Sequence, residues 1–163
     1  MKPAKAVGIQ YAALPYRVEA GQVRILLITS RESRRWVIPK GWPMNSLKPH
    51  EAAAVEAAEE AGVIGQVETQ PVGSYDYLKK LKRGEAIAVQ VIVFPLRVGT
   101  QVEAWKEQGQ RALQWLPYRR AAGRVSEPGL RRLIHDFGAA RTTSFIARNL
   151  RRYRAWRFGP ALQ

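Results

Sequence analysis

Three glutamates, Glu56, Glu59 and Glu60, stand at positions i, i+3 and i+4 of the segment PHEAAAVEAAEEA. On a helix of about 3.6 residues per turn, that spacing gathers their side chains within an arc of roughly 100°. Between Glu51 and Val63 there is no lysine or arginine, although the whole chain has 27 of them against 13 acids and a formal charge of +14. A solvated acidic face is ordinarily laced with cations three or four residues away. Here the like charges call for compensation from outside. Oxygen-only ligands suit a hard cation, Mg²⁺ or Mn²⁺, which also bridges to phosphate oxygens. Just upstream, Arg34, Arg35 and Lys40 offer positive charge, and Gly41 permits a close backbone approach to an anion. Trp42 could stack on a base or ring, or simply seal a loop. The chemistry this combination suggests is a polyphosphate gripped between a metal and a cationic rim. The plainer alternative is a solvated acidic face next to an ordinary turn glycine and a basic hairpin tip.

These residues need a sheet to position them. Gly8 to Val18 and Val23 to Ser30 are rich in β-formers and are separated by a turn at Glu19 to Gln22. Trp36 to Ile38 makes a short third strand, and a Pro/Gly/Asn-rich loop from Pro39 to Pro49 opens a helix from about Pro49 to Ala61, with Gly62 at the natural stop. Val55, Ala54, Ala57, Ala58 and Ala61 form the apolar side expected to pack on the sheet, opposite the carboxylates. Further strands are expected at Gln66 to Val72, Gly73 to Lys79, Ala86 to Val98 (the central one) and Ala112 to Leu116. Ser126 and Pro128 open a second helix, with Leu130, Leu133, Ile134 and Phe137 on one face. The sum is an α/β domain with a mixed sheet flanked by two helices.

Composition sets outer limits. At 163 residues with 46% hydrophobic content, the chain is one domain with a real core. With no cysteine, disulfides, thiolate metal sites and a cysteine nucleophile are excluded. No apolar stretch is long enough for a signal peptide or a membrane span, so the cytoplasm is the expected location. The positive charge favours anionic partners: nucleic acid, anionic lipid or a phosphate-rich small molecule.

The helix and its loop resemble the Nudix box, G-x5-E-x7-R-E-U-x-E-E-x-G-U with U a bulky aliphatic. Gly41, Glu56, Glu59, Glu60, Gly62 and Val63 fall at the matching positions without insertion. The wider stretch from Arg31 to Val63 is similar to the subgroup of diphosphoinositol polyphosphate phosphohydrolases. The resemblance implies an α/β/α sandwich over residues 1–140 and a metal-dependent hydrolysis of phosphoanhydrides. It implies Glu59 and Glu60 as metal ligands, and Glu56 as a further ligand or as the base acting on water held by the metal. A glutamate from a nearby loop often joins them, and Glu107 and Glu85 are the candidates, with Glu107 assigned as the fourth ligand. The implied substrate is a dinucleoside polyphosphate, a diphosphoinositol polyphosphate or a nucleoside diphosphate derivative. Three positions depart from the motif: Leu47 stands for a glutamate, Val55 for the arginine that orients the glutamate beside it, and Ala57 for a bulky aliphatic. Glu51 is the available substitute for the acid lost at Leu47, although it points nearer the apolar side. The departures leave open a degenerate, weakly active or non-catalytic domain.

Residues 141–163 lie outside that resemblance. Phe145, Ile146, Leu150, Tyr153 and Trp156 recur at a roughly helical period among six arginines, which reads as a basic amphipathic helix. It could bind nucleic acid or an anionic surface, dock on the domain and lend arginines to the substrate site or a dimer partner, or do neither.

Overall fold

The computed structural model describes residues 8–158. Residues 1–7 of the expected domain and 159–163 of the expected tail lie outside the described residues. The strands are β1 (Gly8–Glu19), β2 (Gln22–Thr29), β3 (Trp36–Val37), β4 (Lys40–Gly41), β5 (Val63–Val67), β6 (Gly73–Lys80), β7 (Ala86–Gln101) and β8 (Leu113–Pro117). The helices are α1 (Pro49–Ala61), α2 (Tyr118–Arg124) and α3 (Pro128–Phe158). The sheet is mixed: β1 and β7 pair in parallel from Gly8↔Val89 to Tyr16↔Arg97, and the other pairings are antiparallel. β7 is central as expected. Its sixteen residues hold β1 on one edge, while β6 and then β5 share the other.

Alternation along the strands divides the core in two. Leu14, Ile25, Leu27, Val89, Val91 and Val93 face α2 and α3, where they meet Leu130, Leu133, Ile134 and Phe137. Ala13, Leu26, Ile28, Phe94 and Leu96 face α1, where they meet Ala53, Ala57 and Ala61. Alanines every fourth residue let α1 lie close to the sheet. Ala57, which replaces the motif's bulky aliphatic, is fully buried in that seam.

Several local expectations are corrected. The strand expected at Gln66–Val72 begins instead at Val63, immediately after the helix stop, and ends at Val67. Pairing with Leu96 to Gln101 of β7, rather than β-propensity, fixes its limits. The loop after Pro39 contains the short strand β4, which pairs with Tyr11 and Ala12. Instead of two flanking helices there are three among the described residues: α2 was not expected, and α3 runs unbroken across residues 140 and 141, so the second helix and the basic segment are one element. On α1 the buried residues are Ala52, Ala53, Ala57, Glu60 and Ala61, while Ala54, Val55 and Ala58 are half-buried. The acidic arc therefore overlaps the packed face rather than opposing it.

Candidate active site

The start and end of α1 set where its carboxylates stand. Pro49 occupies the first turn, where a missing N–H matters least. Glu51 accepts a hydrogen bond from the Lys48 N–H at 2.8 Å, so the possible substitute for Leu47 caps its own helix. At the other end Gly62 adopts φ 66° and donates its N–H to the Ala58 carbonyl at 3.1 Å. The Trp105 indole lies over the bare Gly62 Cα, where a Cβ would collide with it. That contact, and a 3.0 Å hydrogen bond from the Glu107 N–H to the Glu59 carbonyl, fasten the loop before β8 to the end of α1. Glu107 thereby joins the acidic helix, whereas Glu85 is exposed in the β6–β7 turn.

The three helix carboxylates have different surroundings. Glu60 is almost completely buried and lies 3.0 Å from Arg111. Burial pushes its carboxyl up to about 7 against the pull of Arg111 and Lys40. Glu59 is more exposed and pairs with Lys106 at 3.2 Å. Glu56 is half-buried, and among the described residues no cation stands within ion-pair distance of it. Burial first, then Glu59 and Glu107, raise its carboxyl above the usual range. Glu107 bridges Arg31 at 3.0 Å and Arg111 at 3.2 Å. The cations missing from the helix sequence are thus delivered by the fold, from Arg111, Lys106 and Lys40. The expectation that compensation must come from outside the chain is corrected for Glu59 and Glu60, while among the described residues Glu56 keeps no ion-pair partner.

Arg111 is the residue that sequence reasoning missed. Its guanidinium is nearly excluded from solvent, and all three of its nitrogens are engaged, with Glu107, the Thr29 carbonyl and Glu60. The i, i+4 spacing from Glu107 is its one local signal, and its other partners, Glu60 and the Thr29 carbonyl, come from α1 and β2.

Beside these acids two adjoining hollows of about 250 and 330 Å³ form one cleft, sharing Ser30, Glu32, Lys40, Tyr77 and Lys79. Its lining holds six cations, Arg31, Arg35, Lys40, Lys79, Lys80 and Arg111, against the acids Glu32, Glu60 and Glu127. A recess of net positive charge attracts and concentrates anions. Lys40 lies 5.2 Å over the Tyr77 ring, and its burial lowers its pKa despite the pull of Glu60 and Glu127. Trp42 stands at the mouth, 43% exposed, with the Lys79 ammonium 6.0 Å from its ring centre.

Of the five substrate-side residues expected, Arg35, Lys40, Gly41 and Trp42 line the cleft. Arg34 does not. It has φ 57° and donates to the Gln110 carbonyl at 3.1 Å, bracing the hairpin tip against the loop before β8. Gly41 does admit an anion, but a different one: a Cβ there would overlap the Glu56 carboxylate. Arg31 and Lys79, which sequence reasoning passed over, complete the cationic wall.

The donor set suits a hard cation in kind, with four carboxylates, Glu56, Glu59, Glu60 and Glu107, gathered by one helix and the loop fastened to it. Among the described residues no three acidic or imidazole groups converge on one point, because Lys106 and Arg111 hold three of the four. Binding an ion here would exchange those contacts for metal–oxygen bonds.

The comparisons agree with this architecture. Residues 10–137 match the NUDIX domain family, and the chain belongs to that family. It is 36% identical to Nudix hydrolase 17, mitochondrial, of Arabidopsis thaliana over 111 residues, which are 63% of this chain and 58% of the relative. To Nudix hydrolase 18, mitochondrial, of the same plant it is 33% identical over 111 residues, 63% of this chain and 60% of the relative. The matches therefore span about six-tenths of the length of these curated relatives. The fold is similar to that of a C. elegans Ap4A hydrolase in a binary complex, with a TM-score of 0.61 and 22% identity over 82% of this chain and 96% of the other.

Proposed function

We propose that this chain is a Nudix pyrophosphohydrolase that cleaves a phosphoanhydride bond in a small polyphosphorylated molecule. The observation that carries the reading is that Glu60 of α1 lines a cleft with six cations, and that Glu56 packs against the cleft residue Gly41. In this reading Glu59 and Glu60, with Glu107, would hold Mg²⁺ or Mn²⁺, with Glu56 beside them as the base. Such an ion withdraws charge from phosphate oxygens and makes water a better nucleophile. Lys40, Lys79, Arg31 and Arg35 bind and orient the phosphate chain, so that one phosphorus faces the acids. Glu56, which has no ion-pair partner among the described residues, takes the proton of the attacking water. As the new P–O bond forms, the bridging P–O bond breaks and the leaving phosphate carries off its electron pair.

For the group beyond the phosphates, we place a dinucleoside polyphosphate first. Trp42 offers an exposed ring for a base beside the cleft cations, and a protein of similar fold is the C. elegans Ap4A hydrolase. The proposal includes diphosphoinositol polyphosphates, on the likeness of Arg31 to Val63, and nucleoside diphosphate derivatives. A second, slower reading rests on Val55: without the motif's arginine, Glu56 is held mainly by its packing against Gly41, and turnover is reduced. The functional division at residue 140 is part of the proposal, since the family match ends at residue 137. The cytoplasmic location also belongs to it, and the plant relatives, mitochondrial by name, lend it no support.

Phosphate release across a panel of dinucleoside polyphosphates, diphosphoinositol polyphosphates, nucleoside triphosphates and nucleotide sugars, with Mg²⁺ and with EDTA, tests the reading. Turnover that needs the metal and favours dinucleoside polyphosphates is expected. Silence across the panel would leave a degenerate domain.

A further inference from the structure

α3 carries a second charged surface, away from the cleft. Its 31 residues extend about 46 Å, and the sequence from Phe137 onward contains no acid. Phe145 rests against Gly21 in the β1–β2 turn, and beyond it the large apolar side chains point into solvent. Ile146, Leu150, Tyr153 and Trp156, spaced by three or four residues, are 52%, 55%, 57% and 79% exposed. About a third of a turn around the same helix, Arg148 and Arg152 join Arg97 and Arg141 along a groove of about 510 Å³ beside Tyr16 and the β1–β2 turn. Arg141 pairs with Glu68 and donates to the Tyr16 hydroxyl. Arg97, Arg148 and Arg152 have no acidic partner among the described residues.

We propose that this end of α3 seats on the surface of an anionic phospholipid bilayer. The Ile146–Leu150–Tyr153–Trp156 stripe enters the boundary between headgroups and acyl chains, and Arg97, Arg148 and Arg152 take lipid phosphates. An apolar stripe flanked by arginines, with tyrosine and tryptophan at the edge, is the pattern of a helix lying in that interface. No helix among the described residues is long and apolar enough to cross a membrane, so the helix lies on the bilayer rather than through it. The apolar stripe decides against the other occupants. A nucleic acid would contact the arginines and leave Ile146 and Leu150 without a role. A second copy packed on the stripe would bring two acid-free arginine clusters together. A soluble polyphosphate would fill the groove and leave the stripe uncovered.

Flotation of the full chain with phosphatidylcholine vesicles, with and without phosphatidylserine, tests this. Binding is expected only when the anionic lipid is present. At about a factor of five per arginine near the surface, Arg148→Gln with Arg152→Gln lowers partitioning roughly 30-fold. Leu150→Glu lowers it as well, and inositol phosphates in solution do not displace the chain. Equal binding to neutral vesicles, binding indifferent to Leu150→Glu, displacement by soluble inositol phosphates, or RNA binding with the same arginine dependence and no flotation would each overturn the proposal. These exposed positions lie outside the cleft, so the variants keep the parent's phosphate release, and the two readings fail separately.

Discussion

The Glu56 carboxylate fills the space where a side chain on Gly41 would begin. β4 brings Gly41 alongside β1, and α1 lays Glu56 across it, so a glycine in a loop and a glutamate on a helix form one unit. Gly41→Ala should displace Glu56 while leaving the sheet intact. Because a displacement of about 1 Å can lower turnover on the order of 100-fold, we expect kcat/KM to fall by that much while the thermal melt stays close to the parent's. Steady-state kinetics alongside a melting curve check this, and unchanged kinetics would show that Glu56 has room to work elsewhere.

Arg111 ties the end of α1 to the loop before β8. Removing one partner from a buried ionic network leaves charge uncompensated and costs about 3–5 kcal/mol. Arg111→Met should destabilise the fold by roughly that amount in urea denaturation. Arg111→Lys should recover only part of it, because an ammonium cannot reach Glu60, Glu107 and the Thr29 carbonyl together. Full recovery by lysine would mean that charge alone matters at this position.

Tyr77 gives a pH dependence with a defined sign. Its hydroxyl donates to Gln10 Oε1 at 2.7 Å, and burial, with Glu127 nearby, pushes its pKa up to about 12. Between the ordinary value of about 10 and that value, the unfolded chain gives up this proton and the folded protein keeps it. Folding stability therefore falls as pH rises across this window, and the loss from this group ends above the folded value. Tyr77→Phe should be less stable at neutral pH by about 1 kcal/mol for the hydrogen bond, yet decline less steeply between pH 10 and 12. Parallel declines in the two proteins would contradict the assignment.

Val55 is half-buried at the edge of α1, where the Nudix motif has an arginine. If the loss of that arginine slows turnover by leaving Glu56 loosely oriented, Val55→Arg should raise kcat by roughly tenfold with little change in KM. A rise in KM alone would indicate that the new side chain obstructs the cleft instead.

The parts of this molecule legible in its sequence were those governed by local rules. The β1–β2 turn, the strand expected at Ala86 to Val98, the proline start and glycine stop of α1 and the i, i+3, i+4 carboxylates all follow from short-range spacing. β4 is two residues long and exists only through its pairing with β1, so nothing local announces it. Apart from its i, i+4 pair with Glu107, Arg111 acquires its meaning from β2 and α1, more than fifty residues away in the sequence. Charge compensation failed for the same reason: the absence of lysine or arginine near Glu56 in sequence said nothing about Lys106, or about Lys40 seen across the cleft. The unbroken α3 was read as two helices because its apolar face changes from core-facing residues before Gly138 to exposed residues after Phe145, while the backbone continues through both.

The central claim is that the α1 carboxylates carry out hydrolysis, and Glu56→Gln tests it most directly. Glu56 has no ion-pair partner to lose among the described residues, so the isosteric change should leave the fold in place. Phosphate release from the best substrate of the panel, measured at saturating Mg²⁺, should fall by at least about 100-fold, the range of a lost general base. Release at the parent's rate would contradict the account.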